Sequence, residues 1–493
     1  MRYPTSSAHH KMAAANVAKL SSIEQCPSSF FTLPFTKLNL AHTVCTALCA
    51  LFFTTGYAQP LADNNLFKDD SVVKRVYYEQ ALKDHRAIIG GLPKENKEAY
   101  KKIYESRFLL VTDLFKTARS VTTADANNYL QQIVGKITSA NPELQRLKMR
   151  VVFTRDWWPN AYSIGEGTIA INAGLLGYLN SEAELVFALC HEMAHYYLDH
   201  SGSSIKKYVE TVNDGDFQKE LKRLSKQQYR VNEQLETLAK SIVFDSRKHS
   251  RTNEAASDIQ AYRFMKNSGY DCNAMIATLK LLDKIDDSSL FKPLVVEEVF
   301  NFPEYPFKQK WTQKETSIFS EVNDVSELTQ KEKDSLKTHP ECVKRISLLK
   351  DSVAFTGKQG HLFLVSEQMF TQVKNELLVE IAEYCFTEQN LSRNLYYSLA
   401  LLQSGQEATM ARYSVVRCLN KIYEKQRDHL LGLCIERESS DYPDDYNALL
   451  RMLGRLRLED LAAINTNFCR QFRPEMKNHA GFTTEMVKAL DHN

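Results

Sequence analysis

Neither sign of charge dominates this sequence: 62 Lys+Arg stand against 60 Asp+Glu in 493 residues. General binding to nucleic acid or to an anionic membrane needs a basic surplus, so both classes are excluded. Cysteines are scattered and no CxxC pair occurs, so the chain is not a disulfide-framework protein. Beyond residue 53 no long apolar run occurs, whereas a membrane span needs ~20 such residues. With 43% hydrophobic and 25% charged residues, the composition is that of a globular protein, not of a fibre or a disordered chain. The length allows two or three domains.

The N-terminal part differs from the rest. An apolar run from Leu40 to Phe53 follows Lys37 and ends in Gly56-Tyr57-Ala58, which places small residues where a signal peptidase reads. The run is too short for a span, so residues 1–58 read as a secretory signal region cleaved after Ala58, a membrane anchor being the rival. Removing that region takes away four basic residues and one acidic residue and leaves 58 against 59, so the mature chain is near neutral. Seven of the ten cysteines remain, and an odd number leaves at least one unpaired within the chain.

Periodic apolar positions predict helices over 65–137. Residues 148–154 and Thr168–Asn172 read as strands, with the turn-rich stretch 160–167 between them. Ser181 followed by Glu184 is a capping-box signature that starts a helix. Residues 203–250 form a charged insertion, in which Phe217, Leu221, Leu224, Val231, Leu235, Leu238 and Ile242 make a heptad-like stripe. A long helix or helical hairpin is expected there. From 361 onward the chain reads as all-helical, either a short tetratricopeptide-like solenoid or a plain bundle.

The predicted helix after Ser181 carries His191-Glu192-Met193-Ala194-His195. Histidines four residues apart share one helix face, so both rings can point at one ion, with Glu192 beside them. Imidazole and carboxylate donors suit zinc, which keeps one position open in catalytic sites. A third ligand is required. His200 fails the HExxHxxGxxH pattern, because Leu198 stands where that pattern has Gly and Ser201 where it has His. Arg251–Ala261 supplies a better candidate. Asn253 can cap a helix that projects Glu254 and Asp258 from one face, and Ala255, Ala256 and Ser257 are small enough to let it lie close to the first helix. Glu254 then completes the zinc site, and Asp258 can accept a hydrogen bond from a ligand histidine and fix its tautomer. His200, Trp157 and Trp158 read as packing residues, and Cys190 as a small buried helix residue.

HExxH followed by Asn253-Glu254-Ala255-Ala256-Ser257-Asp258 resembles the gluzincin metallopeptidases of the HtpX, BepA, Oma and CAAX-prenyl-protease group. Asn160–Leu176 is similar to the segment that family places just upstream of its zinc helix. Thr338-His339-Pro340 with Arg345 resembles its downstream segment. These landmarks cover roughly residues 145–350, in the family's order. The insertion at 203–250 is longer than the usual connection, and multi-span membrane segments are missing, so the soluble, exported BepA-like branch is the nearer comparison. The resemblance implies a bacterial periplasmic protein.

The expected architecture is therefore α+β and mostly helical. A zinc metallopeptidase domain over 59–360 carries a small sheet beside the HExxH helix, and a helical repeat-like or bundle domain occupies 361–493. One Zn²⁺ per chain would be held by His191, His195 and Glu254, with Asp258 behind them. Zinc lowers the pKa of water to around 7, and Glu192 would take the proton and pass it to the leaving amine. The resemblance and its residue type make His339 the candidate donor to the developing oxyanion, or a group that caps the metal at rest. Thr168–Asn172 is expected at the sheet edge, where an extended substrate could add as a strand. The reading is a zinc endopeptidase acting on exported, misfolded proteins, with the C-terminal helices docking an envelope protein partner. The alternatives are a chaperone-like binding protein with a silent or regulatory zinc site, and a scaffold in which HExxH is only helix surface.

Overall fold

Strands Arg150–Thr154 (β2) and Thr168–Asn172 (β4) are buried along their whole length because each presents apolar side chains to both faces. Val151, Phe153, Ile169 and Ile171 face the main core. Val152 and Ala170 face a second cluster with Ala81, Val111, Leu114 and Phe115. Continuous burial of this kind suits parallel pairing, and β2 runs parallel to β4, with Val151 opposite Ile169 and Phe153 opposite Ile171. The short strand Ser120–Val121 (β1) pairs antiparallel with β2, and Ala161–Ser163 (β3) pairs antiparallel with β4, giving the order β1-β2-β4-β3.

Two expectations are corrected here. The stretch 160–167 is not all turn, since it contains β3. The edge strands are β1 and β3, and β4 is interior. The hairpin joining them closes through Gly165 (φ 104°) and Gly167 (φ 95°), both in the left-handed region that favours glycine. At Gly167 a Cβ would also stand 2.1 Å from the Lys148 carbonyl oxygen.

The computed structural model describes residues 67–224, 251–284, 293–314, 342–354, 360–405, 407–439 and 442–492. The second cluster covers one sheet face with helices Ser71–Gly90 (α1) and Lys97–Lys116 (α2); Ala124–Ala140 (α3) lies on the other. Next come Ala173–Tyr178 (α4) and the HExxH helix Glu182–Tyr197 (α5), then His200–Val212 (α6) and Gly215–Leu224 (α7). A helix runs through 251–267 (α8), followed by Asn273–Lys284 (α9) and Cys342–Ala354 (α10). The C-terminal helices are Glu367–Thr387 (α11), Leu391–Ser404 (α12), Ala408–Arg427 (α13), Asp444–Arg455 (α14), Leu458–Met476 (α15) and Ala480–Asp491 (α16). The α+β, mostly helical expectation with a helical C-terminal region holds. Among the described residues, no helix is long and apolar enough to cross a membrane.

In the insertion, the chain breaks between α6 and α7, where Asp214 accepts from the Asp216 and Phe217 N–H groups at 3.0 and 3.1 Å. The stripe beyond Leu224, the residues 1–58 and the Thr338-His339-Pro340 segment lie outside the described residues. The α8 helix is already running at Arg251, so Asn253 is interior to it and does not cap it.

The HExxH helix is buried from Glu182 to Ala194 and is anchored at its N-terminus. Ser181 accepts from the Glu184 N–H at 3.3 Å, while the Glu184 carboxylate reaches the Asn180 N–H at 2.6 Å, so the box closes one residue further out than its signature predicts. Glu182 is fully buried. Its carboxylate accepts from Tyr129 Oη (2.9 Å), Tyr270 Oη (2.6 Å) and the Leu364, Val365 and Ser366 N–H groups (2.9, 2.8 and 3.2 Å). One carboxylate thus joins the start of the HExxH helix to the turn that opens α11, where negative charge is also favoured by the helix dipole. The apolar core is continuous from Val121 to Ala489.

Candidate metal centre

The helical period brings His191 and His195 together on α5, with their Nε2 atoms 3.0 Å apart. From α8, Glu254 approaches with Oε2 3.3 Å from His191 Nε2 and Oε1 3.4 Å from His195 Nε2. Among the described residues these three form the metal-competent group, with all ligand atoms within 4.8 Å of one another. A tetrahedral zinc with bonds of about 2.0–2.1 Å spaces its ligand atoms about 3.3 Å apart, and the closest approaches here, with Glu254 meeting the two rings through different oxygens, are of that size. Two imidazole lone pairs and a carboxylate converging on one point repel one another. A divalent cation there turns that repulsion into attraction, so the residues fit the metal.

Behind the triangle, His191 Nδ1 lies 2.9 Å from Asp258 Oδ1. Arg345 on α10 clamps that carboxylate in bidentate fashion, Nε to Oδ2 at 2.6 Å and Nη2 to Oδ1 at 2.7 Å, and its Nη1 lies 3.1 Å from Glu254 Oε2. Arg345 Nη2 is also 3.4 Å from His191 Nδ1. That is a contact rather than a bond, because the Nδ1 hydrogen is directed to Asp258 when Nε2 is the donor to metal. Planar, doubly hydrogen-bonded guanidinium pairing gives directional hold as well as charge.

Proton affinities follow from this crowding. Burial pushes His191 down, but Asp258 and Glu254 outweigh it and raise it to about 10: without a metal, a proton substitutes for the cation. Burial pushes Glu254 up, yet His191, His195 and Arg345 bring it well below the carboxylate range. Asp258 also lies below its usual value, Arg345 and His191 overcoming its burial. Glu192 is the exception. Burial raises its carboxyl above the ordinary value, only partly offset by His195, His191 and the Ser163 backbone N–H. A carboxylate whose proton affinity is raised in this way is better suited to take and return a proton.

Of the residues singled out in the sequence, His191, Glu192, His195, Glu254 and Asp258 come together, and His339 lies outside the described residues. Cys190 is fully buried, and burial pushes its thiol up. Trp157 packs on the core and is stacked by Arg393, 3.8 Å from the ring centroid, as a packing role requires. Sequence reasoning saw Arg345 only as a landmark and gave it no chemistry. It also missed Glu182, whose sole sequence signal is an acidic residue in the first turn after a serine cap, and the contact that His200 makes with His195.

A histidine pair one turn apart, met by a glutamate from a separate helix beside a small sheet, is the donor set of a zinc-dependent metallopeptidase. Residues 124–353 match the family model of peptidase family M48, a stretch that holds β2, β3 and β4, α5, the helix carrying Glu254 and nearly all of α10. The match covers 230 of the 493 residues and supports, for that domain, a family of zinc metallopeptidases. No curated protein matches the chain.

Proposed function

We propose that the chain is a zinc endopeptidase of exported polypeptides, with His191, His195 and Glu254 as the metal ligands and Glu192 as the general base. The observation that carries the reading is the donor triangle of 3.0–3.4 Å sides with a proton-affine carboxylate beside it. Bound there, zinc supplies Lewis acidity to the attacking water and the scissile carbonyl. Glu192 removes the water's proton and returns it to the leaving amine, while the Ser163 N–H orients its carboxylate. Asp258 accepts from His191 Nδ1–H and holds Nε2 toward the metal. His339, three residues ahead of α10, is the proposed donor to the developing oxyanion. Its place in the sequence before the helix that carries Arg345 supports the assignment.

Substrate would add as a strand to β3. Ile164 N–H bonds to the Thr168 carbonyl at 2.9 Å and Asn160 C=O accepts from Asn172 N–H at 2.9 Å. Antiparallel alternation then turns the Ala161 N–H and C=O and the Ser163 C=O to the open edge, the Ser163 N–H being taken by Glu192. Main-chain recognition of this kind suits unfolded protein. The apolar run at 40–53 supports export, to a bacterial periplasm on the BepA-like reading, and the C-terminal helices are the proposed docking module for an envelope partner.

The test pairs metal content with cleavage. Wild type should hold one zinc per chain and cut a denatured, alkylated test protein. Glu254→Ala should lose the metal, and Glu192→Gln should keep it while cleavage falls at least about 10²-fold. Well-folded wild type that takes up no zinc overturns the proposal. Zinc uptake without cleavage would leave the chaperone-like reading.

A further inference from the structure

The two candidate ligand histidines are backed differently. His191 has a carboxylate behind it, Asp258, itself gripped by Arg345. Among the described residues, no carboxylate forms an ion pair with His195 Nδ1. Asp199 stands in the left-handed region (φ 49°) and caps α6 by accepting from the Gly202 N–H at 3.1 Å. This reversal follows four residues after His195, and it folds the first residue of α6 back onto the helix just left. His200 Nδ1 consequently lies 3.1 Å from His195 Nδ1, with the rings edge to face, centroids 5.0 Å apart at 77°. From α8, the fully buried Ser257 places Oγ 3.2 Å from the same His200 nitrogen.

His195 directs Nε2 at Glu254 and His191. A neutral ring that donates to metal through Nε2 carries its proton on Nδ1, and that N–H needs an acceptor when removed from water. We infer that His200 is the positioning residue for His195: its Nδ1 lone pair accepts the His195 Nδ1–H and so fixes the tautomer and ring plane of the ligand. The inference rests on the zinc-site reading above. His200 then carries its own proton on Nε2, and the Ser257 hydroxyl on α8, the same helix that delivers Glu254, is a second donor that shares the one Nδ1 lone pair. The turn at Asp199, α6 and α8 together set the pose of one ligand, whereas α8 and α10 set the other.

A neutral acceptor also suits the charge balance. Glu254, Asp258 and Glu192 in its proton-accepting form bring three negative charges, and Arg345 with a divalent zinc would bring three positive ones. A fourth carboxylate behind His195 would leave one negative charge uncompensated in a buried site.

The test measures zinc affinity by chelator competition and the visible spectrum of the cobalt-substituted full-length protein, for wild type, His200→Phe and His200→Gln. Phenylalanine keeps the ring packing and removes the acceptor; glutamine restores one. His200→Phe should weaken zinc about 10–100-fold and shift the cobalt bands, while the melting temperature of the metal-free protein stays that of wild type. His200→Gln should recover most of the affinity. If His200→Phe does not fold, His200→Ala on this half-buried residue should show the same loss. Zinc affinity within twofold of wild type in the acceptor-less variant, with an unchanged cobalt spectrum, overturns the inference. Folded wild type that binds neither zinc nor cobalt instead overturns the metal-site reading beneath it.

Discussion

Replacing Glu182 by alanine should loosen the whole active region without touching a single metal ligand. The carboxylate receives two tyrosine hydroxyls and three backbone N–H groups at 2.6–3.2 Å. Hydrogen bonds to charged groups contribute about 1.5–3 kcal/mol each, but members of one network do not add. Deleting the acceptor leaves neutral donors buried and unmatched at about 1–3 kcal/mol each, so with partial relaxation the network loses about 3–5 kcal/mol. A chain of this size need not unfold in one step, so the assay should be local: native-state hydrogen exchange at Leu364 and Val365. A loss of 3–5 kcal/mol predicts protection there falling roughly 10²–10³-fold or more. The sign with pH is determined. Burial pushes Glu182 up, but the Tyr270 hydroxyl, the Val365 and Leu364 N–H groups and Tyr129 outweigh it and hold the folded carboxyl below 4.5. Its contribution is therefore complete above the unfolded value near 4.5 and is lost as pH falls through the lower folded value. The alanine variant should lack that part of the acid dependence. Protection within threefold of wild type at pH 7 would refute the reasoning.

Other expectations follow from single contacts. Arg345→Lys keeps the charge and loses the bidentate clamp on Asp258, so zinc affinity should drop about 10-fold or more by chelator competition; unchanged affinity would show that the clamp is idle. Gly167→Ala combines a positive φ with a Cβ placed 2.1 Å from the Lys148 carbonyl. It should destabilise by at least about 2 kcal/mol, read as a lower urea midpoint; a midpoint matching wild type would mean that the hairpin relaxes freely. Ala161→Pro removes an outward N–H from the open edge of β3. Cleavage of unfolded protein should vanish while zinc stays bound, and retained cleavage would exclude strand addition there.

Local chemistry was readable along the chain because it depends on neighbours in sequence. The period of 3.6 residues placed His191 and His195 on one helix face, and Ser181 marked that helix's start. The strands at 150–154 and 168–172 were legible from their apolar runs. The free edge was not. Ala161–Ser163 is a three-residue strand in a glycine-rich stretch, and only its pairing with β4 makes it a strand at all. Asn253 looked like a cap because caps are judged from a few residues, yet the helix is already running at Arg251.

The candidate donor types, their spacing on α5 and the carboxylate beside them could be read along the chain. Only tertiary structure decided which distant groups complete them. Arg345 meets Asp258 across 87 residues and Ser257 meets His200 across 57. Glu182 joins the HExxH helix to a turn 182–184 residues away. The physical reason is that helix and strand periods govern contacts within a turn or two. Which face of one helix meets which face of another is settled by burying both in a common core, and that information is spread over the whole chain.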